Sequence, residues 1–407
     1  MDNRIEKIIK KVYELKEVRE NPSFYVYDSE RIKEKIELIE KYSLNNVKLY
    51  YSMKANPNHS ILKFMSKFKS INGIEIASDG ELEIALSSFS ADKILFTSPG
   101  KTVKELEKSI KSGIKYLNCE SIVEARRISE ICQKNNVDKV NILLRVNPDF
   151  SVNEAGQTMA GISTKMGIDQ CEFFYAYKFI AGLKGINVCG IHVFAASNVL
   201  DYNNLITYVK QVFQFVKDAE ENGVKIDTID FGGGFGIDYD DYHNGFDVKS
   251  YFEALDALVN DFGFRSKELI LELGRYLIGE SGYYIAEIID IKDIKGNKHM
   301  VVAGGINHMR LPIAMEQKHP SFVISMNADK LYPEQPFIKE EHVDIEGPLC
   351  MSDDLIAWDE YVEKADIGDL FVLRQSGAYC YSCSALSFLS HTYPEEYLVS
   401  DSEIVRI

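Results

Sequence analysis

From Val47 to about Ile278 the chain alternates short apolar runs, rich in β-branched residues, with longer amphipathic stretches. The short runs suit strands buried on both faces, and the longer stretches suit helices with one buried stripe. The strand candidates are VKLYYSMKA from Val47, SINGIEIAS from Ser70, KILFTSPG from Lys93 and IKYLNCES from Ile114. They continue with NILLRVNPD from Asn141, KGINVCGIHVF from Lys184, KIDTIDFGGG from Lys225 and ELILELGRYLI from Glu268. Roughly eight strands over about 230 residues, each followed by a helix, is the size of a closed (β/α)8 barrel. After Arg275 the long helical stretches stop. YYIAEIIDIK, KHMVVAG, SFVISM, DLFVLRQSGAYC and EYLVS are separated by turns and predict an antiparallel β domain. Strand pairing needs partners, so FYVYD at Phe24 is expected to join that domain across the chain. The expected division is a barrel over residues 30–278 and a discontinuous β domain over 1–29 and 279–407. The acidic run from Lys339 to Glu346 reads as a solvated loop.

Composition narrows the function without naming it. A net charge of −16 argues against a general nucleic-acid binder, whose affinity would come from clustered Lys and Arg. The N-terminal stretch is charged and helical in pattern, and no apolar run approaches membrane-spanning length, so a cytoplasmic protein is expected. The seven cysteines are scattered without paired spacing, which suits reduced thiols. The histidines show no metal-ligand spacing, and no metal is expected.

In a barrel of this kind the reacting groups sit at the C-terminal ends of the strands. Lys54 ends the first strand in YYSMKANPN, where partial desolvation would free its amine for Schiff-base chemistry. The seventh strand runs into FGGGFG, whose side-chain-free backbone can point N–H groups at an anion. It is neither a Walker loop nor a full dinucleotide fingerprint. The eighth strand ends ELGRYLIGESG, with Glu272 and Arg275 three residues apart. GPLCMSDD from Gly347 and SGAYCYS from Ser376 place a thiol, carboxylates and a phenol in loops.

Taken together, in this order, these segments resemble the fold-type III pyridoxal-phosphate (PLP) decarboxylases, the group of diaminopimelate, ornithine and arginine decarboxylases. The resemblance runs from Phe24 to about His391. It implies an alanine racemase-like TIM barrel with PLP as cofactor. Lys54 looks like the Schiff-base lysine, and Gly233, Gly234, Phe235 and Gly236 with Ser197, Gly274, Arg275 and Tyr379 look like the phosphate cradle. Glu272 matches the acid that meets the pyridine nitrogen; related racemases place an arginine there, so a stronger electron sink and decarboxylation are implied. Cys350 matches the cysteine that returns a proton to the substrate carbon, and Asp354 an acid facing the substrate. The family draws that loop and the SGAY tyrosine from the neighbouring subunit, which implies a homodimer with shared active sites.

Departures from the family pattern concern the substrate. HIGS, whose histidine stacks on the cofactor ring, is HVFAAS here, so Phe194 takes the stacking position and His192 lies two residues earlier, counted with the substrate contacts. Diaminopimelate enzymes carry a glutamate after the reactive cysteine, where Met351 stands, and their RPxLY segment is RLPIA, keeping Arg310 without the tyrosine. A zwitterionic far end would lose its partners. His308 of GGINHMR lies where substrate contacts fall. The altered segments look like the subgroup of the butirosin-type decarboxylase, which acts on a glutamyl group tethered to an acyl carrier protein. The expected substrate is therefore a conjugated or carrier-linked amino acid. A free amino acid of the diaminopimelate or ornithine type, a PLP-dependent racemase, and a non-catalytic PLP-binding regulator are the alternatives.

Overall fold

The computed structural model describes residues 3–152, 157–158, 161–194, 196–240, 245–326 and 332–407. Within these the chain divides into two compact units, one of residues 34–237 and 245–277, the other of residues 3–33, 238–240 and 278–407.

The first unit is the barrel. Its strands are β1 (Val47–Ser52), β2 (Ile71–Ile76), β3 (Ile94–Phe96), β4 (Tyr116–Cys119), β5 (Val140–Asn147), β6 (Ile186–His192), β7 (Thr228–Asp230) and β8 (Glu268–Leu273). Neighbours pair in parallel in chain order, and β8 pairs back to β1 through Leu269↔Val47 to Leu273↔Tyr51, which closes the ring. All eight strands coincide with apolar runs read from the sequence, because a barrel strand is buried on both faces and leaves no alternation to mistake. Tyr50, Leu95, Tyr116, Leu143 and Ile270 fill the interior as one cluster. The helices between strands carry ordinary start and stop signals. Val103–Ser112, for example, opens with a Thr102/Glu105 capping box and stops at Gly113, whose φ of 71° is left-handed.

The second unit is a β-sheet system built around Ser23–Asp28. That strand pairs antiparallel with Gly282–Ile294 and parallel with Glu395–Val399, as the lone FYVYD run required. Gly282–Ile294 turns through Lys295 and Gly296, both at positive φ, into Asn297–Val302, and also pairs with Leu370–Leu373. Phe24, Val26, Ile285, Ile324, Leu370 and Val372 pack against Ile5, Ile8, Ile9 and Val12 of the helix Asn3–Tyr13. Most pairings are antiparallel, as expected; the second parallel one joins Asn297–Val302 to Phe337–Glu346.

The acidic run is a correction. It lies in the strand Phe337–Glu346, paired antiparallel over most of its length with Leu355–Asp366. Ile338, Val343 and Ile345 are buried, and the charged residues occupy the outer positions. The charge that suggested a loop marks the solvated face of a sheet. Among the described residues no helix is long and apolar enough to cross a membrane.

Candidate active site

Within the barrel unit, the ends of the strands bring acids and bases together. Lys54 sits in a single 3-10 turn, Met53–Ala55, directly after β1. Its Nζ lies 3.2 Å from Glu75 at the end of β2, and its side chain keeps 39% exposure while that of Glu75 keeps 1%. The amine is therefore held by a buried carboxylate yet open to a reactant. Glu272, on β8, is buried, and its register partner on β1 is Tyr50. Gly274, two residues on, lies tight against the first strand end: a Cβ there would stand 3.0 Å from the Ala55 Cβ and 3.1 Å from the Ser52 carbonyl oxygen. The turn carrying Glu272 and Arg275 is thus pressed onto the turn carrying Lys54. Arg275, half-buried, opens the short helix Arg275–Ile278.

Asp230 ends β7, fully buried, and its Oδ1 accepts the Gly232 N–H at 2.9 Å. His192 ends β6 opposite it in register, also buried. Ligand atoms of His192, Asp230 and Glu272 all lie within 4.8 Å of one another. Burial, with Asp230 and Glu75 nearby, pushes the Glu272 carboxyl well above the ordinary range, and burial does the same to Asp230. Burial, reinforced by Arg145, Lys54 and Lys101, pushes His192 far below its usual value, so its ring is neutral. At 3.8 Å from Glu272, a neutral ring is neither an ion-pair nor a hydrogen-bond partner.

The glycine loop follows β7. A Cβ on Gly233 would lie 1.7 Å from the carbonyl oxygen of Glu272, so only glycine permits this loop to touch β8. The Val199 N–H donates to Gly234 O at 2.8 Å, and the Gly236 N–H to Val199 O at 2.9 Å. These bonds tie the loop to the segment that carries Ser197, on the short strand Ala196–Ser197. The Phe235 side chain does not line an open cradle. It is buried, stacked on Phe246 at 4.1 Å and edge-on to Tyr251 and Tyr276, which anchors the loop from below. Phe194 stands half-exposed with the Lys54 Nζ 5.6 Å from its ring centroid, and Gly232 makes the space for that ring. Phe194 is thus an aromatic beside the reactive amine; His192, expected among the substrate contacts, is buried inside the barrel.

Further acids and bases, missed in the sequence, complete the barrel end. Buried Arg145 pairs with Glu120 at 2.8 Å, and Glu120 also accepts the Gly167 N–H at 2.8 Å, which fastens the STKMG segment to the barrel. Glu75 and Asp230 were missed as well. A clue existed for both: an acid inside an apolar parallel strand has no solvated face to occupy.

In the β unit, Cys350 is exposed in the turn after Phe337–Glu346. Asp354 does not reach outward as expected. Its Oδ1 accepts the Ile306 N–H at 2.7 Å and its Oδ2 the Leu349 N–H at 2.7 Å, and its backbone C=O accepts the Gly347 N–H at 2.9 Å. Gly305 and Gly347 lie flush against the carboxylate, which builds the Cys350 loop instead of facing a ligand. His308 is also a correction. It is buried, with Nδ1 2.9 Å from Ser23 Oγ and Nε2 2.9 Å from the Thr392 carbonyl oxygen, and burial lowers it to about 4. Arg310 remains exposed. Tyr379 is half-buried at a φ of 66°, a strained conformation for a bulky residue.

Comparison with known proteins points one way. The pyridoxal binding domain of the pyridoxal-dependent decarboxylases matches residues 29–279. A 2-[(L-alanin-3-ylcarbamoyl)methyl]-2-hydroxybutanedioate decarboxylase of Staphylococcus aureus is 31% identical, covering 96% of this chain and 97% of its own. The L-glutamyl-[BtrI acyl-carrier protein] decarboxylase of Niallia circulans is 30% identical over 94% of this chain and 90% of its own. Among solved structures, a diaminopimelate decarboxylase of Helicobacter pylori complexed with L-lysine superposes with a TM-score of 0.83 at 25% identity, covering 94% of this chain and 93% of its own.

The residues present fit the cofactor of that family. An accessible primary amine suits its aldehyde, a buried carboxyl oxygen of Glu272 without a donor among the described residues suits its ring nitrogen, and the side-chain-free backbone at Gly233 and Gly234 suits close approach of its phosphate. On the barrel, the strand-end chemistry and the matched domain, this chain belongs to the pyridoxal-dependent decarboxylase family, with pyridoxal 5'-phosphate as cofactor.

Proposed function

We infer that this protein removes the α-carboxylate of an amino acid whose far end is joined to a second group. The observation that carries this reading is the pair of relatives matched over nearly the whole chain. By name, one acts on an alanine unit joined through a carbamoyl link to a hydroxybutanedioate, the other on a glutamyl group on an acyl-carrier protein. The β unit supports it. With His308 and Asp354 committed to internal hydrogen bonds, exposed Arg310 and Met351 are the groups left there to meet a far end. Neither is an acid, so neither would hold the distal ammonium of diaminopimelate.

When bound, pyridoxal phosphate supplies the sink for the electrons released as carbon dioxide leaves. The protein residues have separate tasks. Lys54 would hold the cofactor aldehyde, with Glu75 holding the Lys54 amine. Glu272 would meet the ring nitrogen, Phe194 would lie against the ring, and Gly233, Gly234, Gly236, Ser197, Gly274, Arg275 and Tyr379 would hold the phosphate. Cys350 puts a proton on the carbon that lost its carboxylate, its loop held in shape by Asp354. The family resemblance further implies a homodimer in which the Cys350 loop and Tyr379 serve the partner's barrel.

The test is carbon dioxide release by the purified holoenzyme from four substrates: 2,3-diaminopropionate acylated on its β-nitrogen, carrier-loaded glutamate, free diaminopimelate and free ornithine. A conjugated substrate should exceed the free ones by at least about 100-fold in kcat/KM, the scale expected when a free polar end finds no partner. Turnover of free diaminopimelate as fast as that of either conjugate would overturn the reading.

A further inference from the structure

Asp230 is a buried carboxyl group that the roles above leave unused. One oxygen caps the Gly232 N–H, but among the described residues Oδ2 has no donor, and neither does Glu272 Oε1. The two side chains come from adjacent strands, β7 and β8, and point into the same buried space as His192. The charged groups that face this space come from the other strands. Lys54 after β1 is paired with Glu75 of β2, Arg145 of β5 with Glu120, and Lys101 with Glu124. All three cations are thus already matched to another carboxylate. His192 of β6 is neutral. Two adjoining carboxylates, each removed from water and without a cation of their own, cannot both carry charge at neutral pH.

We propose that Asp230 and Glu272 hold one proton between them, across Oδ2 of the first and a carboxyl oxygen of the second, so that Asp230 is a positioning residue that fixes the protonation of Glu272. This rests on reading Glu272 as the group that meets the cofactor's ring nitrogen. The raised positions of both carboxyl groups agree with a shared proton, each disfavouring ionisation of the other. Asp230 acts on the ring nitrogen only through Glu272. Asp230→Asn keeps an oxygen that can accept the Gly232 N–H, so it changes the acidity of the site while leaving Lys54, the glycine loop and Phe194 in place.

The experiment uses the cofactor-free full-length protein, where the pair can be seen without turnover. Infrared difference spectra taken between acid and neutral pH report protonated carboxyl groups, and [13C]aspartate labelling separates Asp from Glu. A protonated-carboxyl signal should persist at neutral pH, shift in part with the aspartate label, and lose that label-sensitive part in Asp230→Asn. If Asp230→Asn does not fold, Glu272→Gln in labelled protein gives the same information. Removing the partner should then move titration of the remaining aspartate signal to lower pH by at least about one unit. In the holoenzyme, Asp230→Asn should move the acidic limb of the kcat profile in the same direction. A neutral-pH signal that ignores both the label and the substitutions would overturn the shared proton. Failure of the underlying reading looks different: Glu272→Gln would bind pyridoxal phosphate and turn over unchanged while the shared signal in the wild-type protein persisted.

Discussion

Asp354 gives the sharpest local prediction, because its contribution is readable from geometry. Replacing it with alanine removes the acceptor for the Ile306 and Leu349 N–H groups, both bonded at 2.7 Å. An orphaned buried donor costs roughly 1–3 kcal/mol, so two cost about 3–4 kcal/mol after partial access of water at Ile306. The gap cannot easily close. A Cβ added to Gly305 or Gly347 would stand 2.0 or 2.4 Å from the carboxylate, so the backbone already occupies the surrounding space. At about 1.4 kcal/mol per factor of ten, amide exchange at Leu349 and Ile306 should accelerate by at least about 100-fold. Cys350 directly follows Leu349, so its thiol should become several-fold more reactive toward a disulfide reagent, measured with exposed Cys171 and Cys383 replaced by serine. Asp354→Asn, which keeps one acceptor oxygen, should fall between. Exchange within twofold of wild type, with unchanged Cys350 reactivity, would refute the clamp.

Other predictions follow from the barrel. Glu75→Gln keeps the shape around Lys54 but removes the anion; kcat should fall about tenfold, the worth of one charge-assisted hydrogen bond discounted for the exposure of Lys54, and an unchanged kcat would deny the contact a role. Gly233→Ala drives a Cβ to 1.7 Å from the Glu272 carbonyl and should destabilise by about 1–3 kcal/mol while weakening cofactor retention; Gly100→Ala, in open space, should leave both unchanged. Because burial raises both Asp230 and Glu272, their folded forms bind protons more tightly than the unfolded chain does. The stability they confer is full below about pH 4 and is lost as pH rises through about 7, where Asp230 titrates. The cofactor-free protein should therefore weaken over that window in a denaturant series, and Asp230→Asn should flatten the decline.

The barrel was legible because its strands are buried on both faces and bounded by capped helices, so local pattern and long-range structure agree. The β unit was legible in part. Ser23–Asp28 stood out as a strand with no nearby partner, whereas Phe337–Glu346 hid its three inward apolar residues among outward charges and pairs with the next strand, Leu355–Asp366, which is masked by charges in the same way. Order along the chain also placed Lys54, Glu272 and the glycine loop at strand ends, and these do converge. What order cannot give is the direction in which a polar side chain is spent. His308 and Asp354 stand in segments that suit ligand contacts, yet their hydrogen bonds are used up by Ser23, Thr392, Ile306 and Leu349, residues up to 285 positions away. Glu75 and Asp230 were passed over for the converse reason: each interrupts an apolar run by one residue, and only the closed ring shows that both acids are inside it.

The central claim is a covalent link at Lys54, and borohydride tests it directly. The purified holoenzyme should lose its visible absorbance on reduction, and peptide mass analysis should find one pyridoxyl-phosphate adduct, on Lys54. Lys54→Ala should show neither the band nor the adduct. An adduct on another lysine, or a visible band that survives Lys54→Ala, would contradict the account.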